Sequence, residues 1–335
     1  MNTIIPSSML ASVQDVEGEA LQVRLVAAPT LEAGQVLVRV QAVGLNPLDT
    51  KIRAGKAAHA QHPLPAILGI DMAGVVVAVG PGVEGFAADD EVFGMTGGVG
   101  GVQGALAQFA VVDPALLAHR PKSLTAREAA ALPLVFITAW EGLVDRARVA
   151  PGKTVLIHGG AGGIGHVAVQ IAKAHGATVF ATANAAQRAY VESLGATFID
   201  YQQESVEEYV ARYTDGEGFD IIFDTVGGAI LDNSFKAARR YHGHVVSALG
   251  WGTHSIAPLS FRGATYSGVF TLMPLLSGRD RAHHGDIMRE ASRLADAGQL
   301  RPRVDPNRFS LNTAEEAYQY VESGDTAGKV VVEVE

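Results

Sequence analysis

Cysteine is absent from all 335 residues. The absence removes disulfides, thiol nucleophiles and every zinc site built with a thiolate at once. Runs of Lys or Arg are also missing and the net charge is −9 at pH 7, so nothing in the chain would gather a nucleic acid. No apolar run approaches the roughly 20 residues needed to cross a bilayer. The first basic residue is Arg24, which leaves the N-terminus without the charged lead-in of an export signal. A cytoplasmic protein with neither a nucleic-acid nor a membrane partner is expected. Two catalytic motifs are missing as well. There is no G-x-S-x-G elbow to carry a hydrolase serine. Gly152-Lys153-Thr154 imitates the end of a P-loop but precedes a strand and lacks the earlier glycine.

What organises the chain is Thr154 to Gly176, TVLIHGGAGGIGHVAVQIAKAHG. Val155, Leu156 and Ile157 read as a buried strand, and Ile164, Val167, Ala168, Ile171 and Ala172 recur at helical spacing. Between them Gly160, Gly162 and Gly165 fall on the G-x-G-x-x-G spacing of a dinucleotide-binding turn. Gly160 is expected to make the tight turn, Gly162 to let the backbone approach a diphosphate, and Gly165 to let the helix pack closely on the strand. The turn Gly160-Ala161-Gly162-Gly163-Ile164-Gly165 would offer free amides and the positive end of a helix to the phosphates.

Before this stretch, residues 1–125 are rich in Val, Gly and Pro, with candidate strands at Leu21–Leu25, Gln35–Val43, Gly74–Val79 and Glu91–Phe93. Thr125-Ala126-Arg127-Glu128 fits a capping box ahead of the apolar run Ala129 to Leu134. After it, strand and helix alternate: Thr178–Thr182, helix Gln187–Leu194, Phe198–Asp200, helix Glu204–Tyr213, Asp220–Asp224, His244–Leu249 and Thr265–Val269. Alternation of this kind predicts a doubly wound α/β domain with a parallel sheet. The chain closes with a helix at Ala314–Glu322 and a strand at Lys329–Val334. No low-complexity linker appears, so the parts are expected to share a rigid interface with the reactive end of the nucleotide at the cleft.

An NAD site normally ends its second strand with Asp or Glu, which accepts from the ribose 2′-hydroxyl. Here that strand ends Ala181-Thr182-Ala183-Asn184, without a carboxylate, and Arg188 comes shortly after. A guanidinium can pair with a 2′-phosphate that an acid would repel, so NADPH is expected over NADH. A solvated surface arginine is the alternative. Thr182, Asn184 and Arg188 are therefore cofactor-binding candidates.

Several motifs resemble a known family in their order. Gly44-Leu45-Asn46-Pro47-Leu48-Asp49, Gly69-Ile70-Asp71-Met72-Ala73-Gly74, Asp90-Glu91-Val92-Phe93-Gly94, the glycine turn, Phe223-Asp224-Thr225-Val226-Gly227-Gly228 and Gly328-Lys329-Val330-Val331 succeed one another as in medium-chain dehydrogenases/reductases. Within that superfamily the chain looks like the zinc-independent quinone oxidoreductases. The resemblance implies a GroES-like β-rich catalytic domain over 1–125, an inserted Rossmann domain over 126–268, and a segment over 269–335 that completes the Rossmann edge and returns to the first domain. It implies cofactor contacts at Asn46, Thr138, Tyr201, Thr225, Ser247 and Leu249, and catalytic positions at Asn46 and Lys51. Asn46 also reads as a turn residue before Pro47, and Thr138 as a helix-interior threonine. Lys51 stands where the family usually has Tyr. A homodimer seamed along Thr265 to Phe270 is implied too.

Zinc relatives carry Gly-His-Glu where this chain has Gly69-Ile70-Asp71, so no metal is expected. The histidine pairs His59/His62, His242/His244 and His283/His284 each lack a third ligand in sequence. Without a Lewis acid the natural acceptor is electron-poor already: a quinone or an α,β-unsaturated carbonyl. Hydride transfer from NADPH is then expected, with backbone amides or Lys51 stabilising the oxyanion and solvent giving the proton. Trp251 and Phe270 could wall an apolar pocket or be plain core. The alternative is an NADPH-binding sensor or structural protein with little turnover.

Overall fold

The computed structural model describes residues 6–334. Two compact units form, one from Val135 to Thr271, the other from the residues up to Leu134 together with those from Leu272 on. The extreme ends of the expected domain ranges, 1–5 and 335, lie outside the described residues. Among the described residues no helix is long and apolar enough to cross a membrane.

The Val135–Thr271 unit is built on six parallel strands: β1 (Thr154–Ile157), β2 (Thr178–Ala183), β3 (Thr197–Asp200), β4 (Ile221–Asp224), β5 (His244–Ser247) and β6 (Thr265–Gly268). They lie in the order β3-β2-β1-β4-β5-β6. Val155, Leu156 and Ile157 of β1 and Ile222 and Phe223 of β4 are fully buried, because helices cover both faces of a parallel sheet. The chain runs outward from β1 to β2 and β3, then crosses to β4. Strand order therefore reverses between β1 and β4, which opens a crevice at their carboxyl ends. Phe180, Tyr209, Phe219 and Phe235 fill the core beside the sheet. Strand β6 is the outer edge and stops at Gly268, two residues short of Phe270. Tyr266 on it is exposed.

In the other unit Val36–Gly44 is the central strand, flanked by Asp71–Val79 and by Val331–Glu333 from the end of the chain. Gly44 faces Asp71 on one side and Val331 on the other. This register brings three distant segments to one place. Thr125 and Glu128 form the expected capping box, Thr125 N–H donating to Glu128 Oε2 at 2.8 Å, but the helix covers only Ala126–Ala130. A second helix, Pro133–Trp140, starts at the proline. Among the described residues the longest helix, Arg281–Asp296, has no counterpart among the elements expected from the sequence. Its buried stripe includes His284 and Gly285 as well as Ile287, Met288, Ala291 and Leu294, which blurs the apolar period. Gly285 is required by packing: a Cβ there would lie 2.5 Å from the Ala115 carbonyl oxygen.

Candidate active site

The glycine turn leaves β1 at His158, whose N–H still donates to Phe223 O of β4 at 3.0 Å. The left-handed step of the turn comes next, at Gly159 with φ +71°. Gly160 serves clearance: a Cβ on it would sit 2.5 Å from Ala181 Cβ of β2. A Cβ on Gly165 would come within 2.0 Å of the Gly159 carbonyl oxygen, so the first turn of the helix lies close against the glycine turn itself. Gly162 caps the helix Gly163–Ala174, and Gly162 and Gly163 are the exposed part of the turn. The first amides of a helix have no partner within it and carry its positive end, so the exposed stretch suits an anion.

Around the turn, hydroxyls are spent on backbone. Thr182 Oγ1 accepts from Gly159 N–H at 3.2 Å and lies 3.3 Å from His158 Nδ1. Thr225 Oγ1 donates to His158 O at 2.7 Å. Asp224, fully buried at the end of β4, accepts from Val226 N–H and Gly227 N–H at 3.0 Å each and from Ser247 Oγ at 2.7 Å. Ser247 Oγ in turn accepts from Leu249 N–H at 3.1 Å. Thr182, Thr225, Ser247 and Leu249 thus shape the crevice by tying its strand ends together. Asp224 and His158 were missed as site residues. The visible signal was a carboxylate closing an apolar strand. Burial pulls the His158 imidazole down to about 4 against the pull of the Asp224 charge, so the ring is neutral.

At the carboxyl ends of β2 and β3, Arg188 opens the helix Arg188–Ser193 with its side chain 57% exposed. Its guanidinium lies 4.2 Å from the Phe198 ring centroid and 3.4 Å from Glu192 Oε1. A surface pair of this kind holds an arginine weakly, so its donors remain available to a ligand. Asn184 succeeds β2 with a buried Oδ1 that has no partner among the described residues, and Tyr201 succeeds β3 exposed. No carboxylate stands at the end of β2.

In the other unit the converging strands build a charged cluster. Asn46 donates from Nδ2 to Asp71 Oδ2 at 3.0 Å and accepts at Oδ1 from Lys329 Nζ. Lys329 Nζ also donates to Leu45 O at 2.7 Å. Asp49 Oδ2 accepts from Asn46 N–H at 2.9 Å and so braces the start of the helix Pro47–Arg53; Asp71 Oδ1 accepts from Leu134 N–H at 2.9 Å. All four side chains are buried. One ammonium faces two carboxylates. Burial pushes Asp49 up to about 6 and Asp71 up to about 7, with Lys329 opposing both, and burial lowers Lys329 itself. Asn46 is 1% exposed and turned into this cluster, whereas Lys51, on the helix it opens, is exposed. Thr138, in the Val135–Thr271 unit, is buried in the helix Pro133–Trp140.

Residues 32–122 match the family described as "Alcohol dehydrogenase GroES-like domain" and residues 194–332 the one described as "Zinc-binding dehydrogenase". The chain is 35% identical to the 2-methylene-furan-3-one reductase of Solanum lycopersicum, over 92% of this chain and 74% of that one. It is 34% identical to the chloroplastic NADPH-dependent alkenal/one oxidoreductase of Arabidopsis thaliana, over 98% and 80%. Among solved structures, an alcohol dehydrogenase superfamily protein from Novosphingobium aromaticivorans is 56% identical, with a TM-score of 0.95 over 98% of this chain and 100% of that one. The quinone oxidoreductase of Coxiella burnetii is 27% identical, with a TM-score of 0.81 over 98% and 100%.

The zinc in one of those descriptions does not fit the residues present. Cysteine is absent, Ile70 is apolar and buried, and among the described residues no group of three His, Cys, Asp or Glu could hold a metal ion. Beside Asn46 and Asp71 the cation is the chain's own Lys329 ammonium. A dinucleotide does fit: the glycine cradle leaves no room for a Cβ at positions 160 and 165, and its exposed rim is a helix N-terminus. The GroES-like and dehydrogenase matches, the plant relatives and the shared fold agree: the chain belongs to the quinone oxidoreductase family of the medium-chain dehydrogenase/reductase superfamily.

Proposed function

We propose that the chain is an NADPH-dependent reductase of conjugated carbonyl compounds, α,β-unsaturated aldehydes and ketones first and quinones second, working without zinc. The observation that carries the cofactor choice is the end of β2, where Asn184 and a loosely held Arg188 stand in place of a carboxylate. The exposed rim of the turn at Gly162 and Gly163 would hold the diphosphate, with Ala161 and Ile164 beside it. Asn184, Arg188 and Tyr201 would hold the phosphorylated ribose. Thr225, Ser247 and Leu249 would shape the nicotinamide side. Bound there, the cofactor supplies a hydride.

The chain's own part is position and charge. With no donor set for a metal, the acceptor has to carry its own electron sink, which a conjugated oxygen provides. The exposed Lys51 ammonium is the group for the developing oxyanion, and Asn46, fixed by Asp71 and Lys329, sets the helix that presents it. Solvent gives the proton that completes the reduction. The plant relatives named for furanone and alkenal reduction are closer in sequence than the Coxiella quinone oxidoreductase, which supports the enone over the quinone. A second copy of the chain paired along the open edge of β6 belongs to the same proposal; light scattering in solution tests it.

The test of the activity is an acceptor panel with NADPH: a short 2-alkenal, a cyclic enone, 1,4-benzoquinone and the matching saturated aldehyde. Turnover confined to conjugated acceptors is expected. Activity on the saturated aldehyde alone would sink the reading, and tight NADPH binding without any turnover would favour a binding protein.

A further inference from the structure

We propose that His158 and Thr182 form a brace that orients the Gly159 amide and thereby sets the dinucleotide turn, so that both act on cofactor affinity through the turn and not by touching the cofactor. The inference rests on the reading that this crevice takes a dinucleotide.

One arrangement lets Thr182 serve both neighbours. A threonine hydroxyl has one hydrogen to give and lone pairs to accept with. Thr182 Oγ1 already accepts from Gly159 N–H at 3.2 Å, and its hydrogen is left to give to His158 Nδ1, 3.3 Å away. His158 is buried and neutral, so one ring nitrogen is free to accept; the brace places that acceptor at Nδ1, with the ring proton on Nε2. The residue itself is held at both backbone ends, by Phe223 O and by the Thr225 hydroxyl. The brace thus runs from β4 through the end of β1 to β2 and terminates on one amide.

That amide belongs to the one residue of the turn in the left-handed region, Gly159 at φ +71°. Holding it in place sets the path of the backbone into the helix. Gly160 N–H donates to Thr182 O at 2.9 Å, Gly162 N–H to Gly159 O at 2.9 Å, and His166 N–H to Gly162 O at 3.0 Å, which starts the helix. One threonine therefore holds two successive amides of the turn, one by its side chain and one by its backbone. His158 also keeps Nε2 buried with no partner among the described residues. A buried polar ring with one unsatisfied nitrogen needs a reason. Here the reason is the other nitrogen, which keeps the Thr182 hydroxyl aimed.

Four variants test the brace. Thr182→Val keeps the shape and removes the hydroxyl, while Thr182→Ser keeps the hydroxyl. His158→Phe keeps a ring without nitrogen, while His158→Asn restores an acceptor near Nδ1. NADPH binding is read by fluorescence, and amide hydrogen exchange across residues 158–165 is read in the ligand-free protein. Thr182→Val and His158→Phe are expected to weaken NADPH about tenfold, the loss of one hydrogen bond, to raise the KM for NADPH with little change in kcat, and to speed exchange in the turn. Thr182→Ser and His158→Asn should stay within about twofold of wild type. Equal affinity and exchange in Thr182→Val would overturn the brace, as would a Thr182→Ser protein as weak as Thr182→Val. Should the wild type bind no NADPH, the dinucleotide reading fails, while the exchange comparison still decides for or against the brace.

Discussion

Two buried polar networks hold the two units, and they are built on opposite principles. At the ends of β1, β2, β4 and β5 the groups are hydroxyls, backbone amides, a neutral imidazole and one carboxylate, bonded to close neighbours in the sheet save for one ring nitrogen of His158. Around Asn46 the groups carry charge, two carboxylates against one ammonium, and the Lys329–Asn46 contact spans 283 residues of chain. The first network shapes a loop and can be altered piece by piece. The second exists only when the first and last parts of the chain are together, and it cannot lose a member cheaply, because a lone buried charge has no solvent to fall back on.

The sharpest way to break the first network is Gly165→Ala. The added Cβ would meet the Gly159 carbonyl at 2.0 Å, a backbone contact that cannot give, so NADPH binding should fall beyond detection in a titration to millimolar cofactor. In the second network Lys329→Met should cost about 3–5 kcal/mol in urea unfolding, and adding Asp71→Asn to it should recover a large part. A loss below about 1 kcal/mol for the single variant would contradict the account of a cluster held by its one ammonium.

Arg188→Ala should weaken NADPH about tenfold and leave NADH unchanged, since one charge-assisted hydrogen bond is worth roughly 1.5–3 kcal/mol. An unaltered ratio of the two in kcat/KM would assign Arg188 to the surface. The smallest effect is a pair of opposite pH slopes. Asp49 and Asp71 keep their protons in the folded chain up to about 6 and about 7, well above the ordinary carboxylate value. Their contribution to stability is full below about pH 4 and declines as pH rises through about 7. His158 is held at about 4, below the ordinary imidazole value, so its contribution is full above about pH 6.5 and is lost as pH falls toward 4. Melting curves from about pH 4.5 to about pH 8 should show Asp71→Asn removing the decline on the alkaline side and His158→Asn removing the one on the acid side.

The same contrast explains what could be read from the sequence. The strand of β1, the glycines and the adjoining helix are contiguous, and their periods and spacing are local properties. The Thr125-to-Glu128 box and the strand–helix alternation were visible for the same reason. The clearance at Gly160 was not, because it is set by Ala181 of the neighbouring strand. Asn46, Asp71 and Lys329 each lie in a recognisable motif, yet nothing local shows that Gly44 pairs with both Asp71 and Val331 and so brings the three side chains together. The helix Arg281–Asp296 was hidden by a glycine and a histidine on its buried face, the glycine required there by packing.

The measurement that bears most directly on the proposed chemistry is the oxidation of NADPH and, beside it, NADH by a short 2-alkenal, with and without EDTA. Turnover that prefers NADPH and is indifferent to the chelator is the predicted result. Turnover abolished by EDTA and restored by zinc, or an equal rate with NADH, would contradict it.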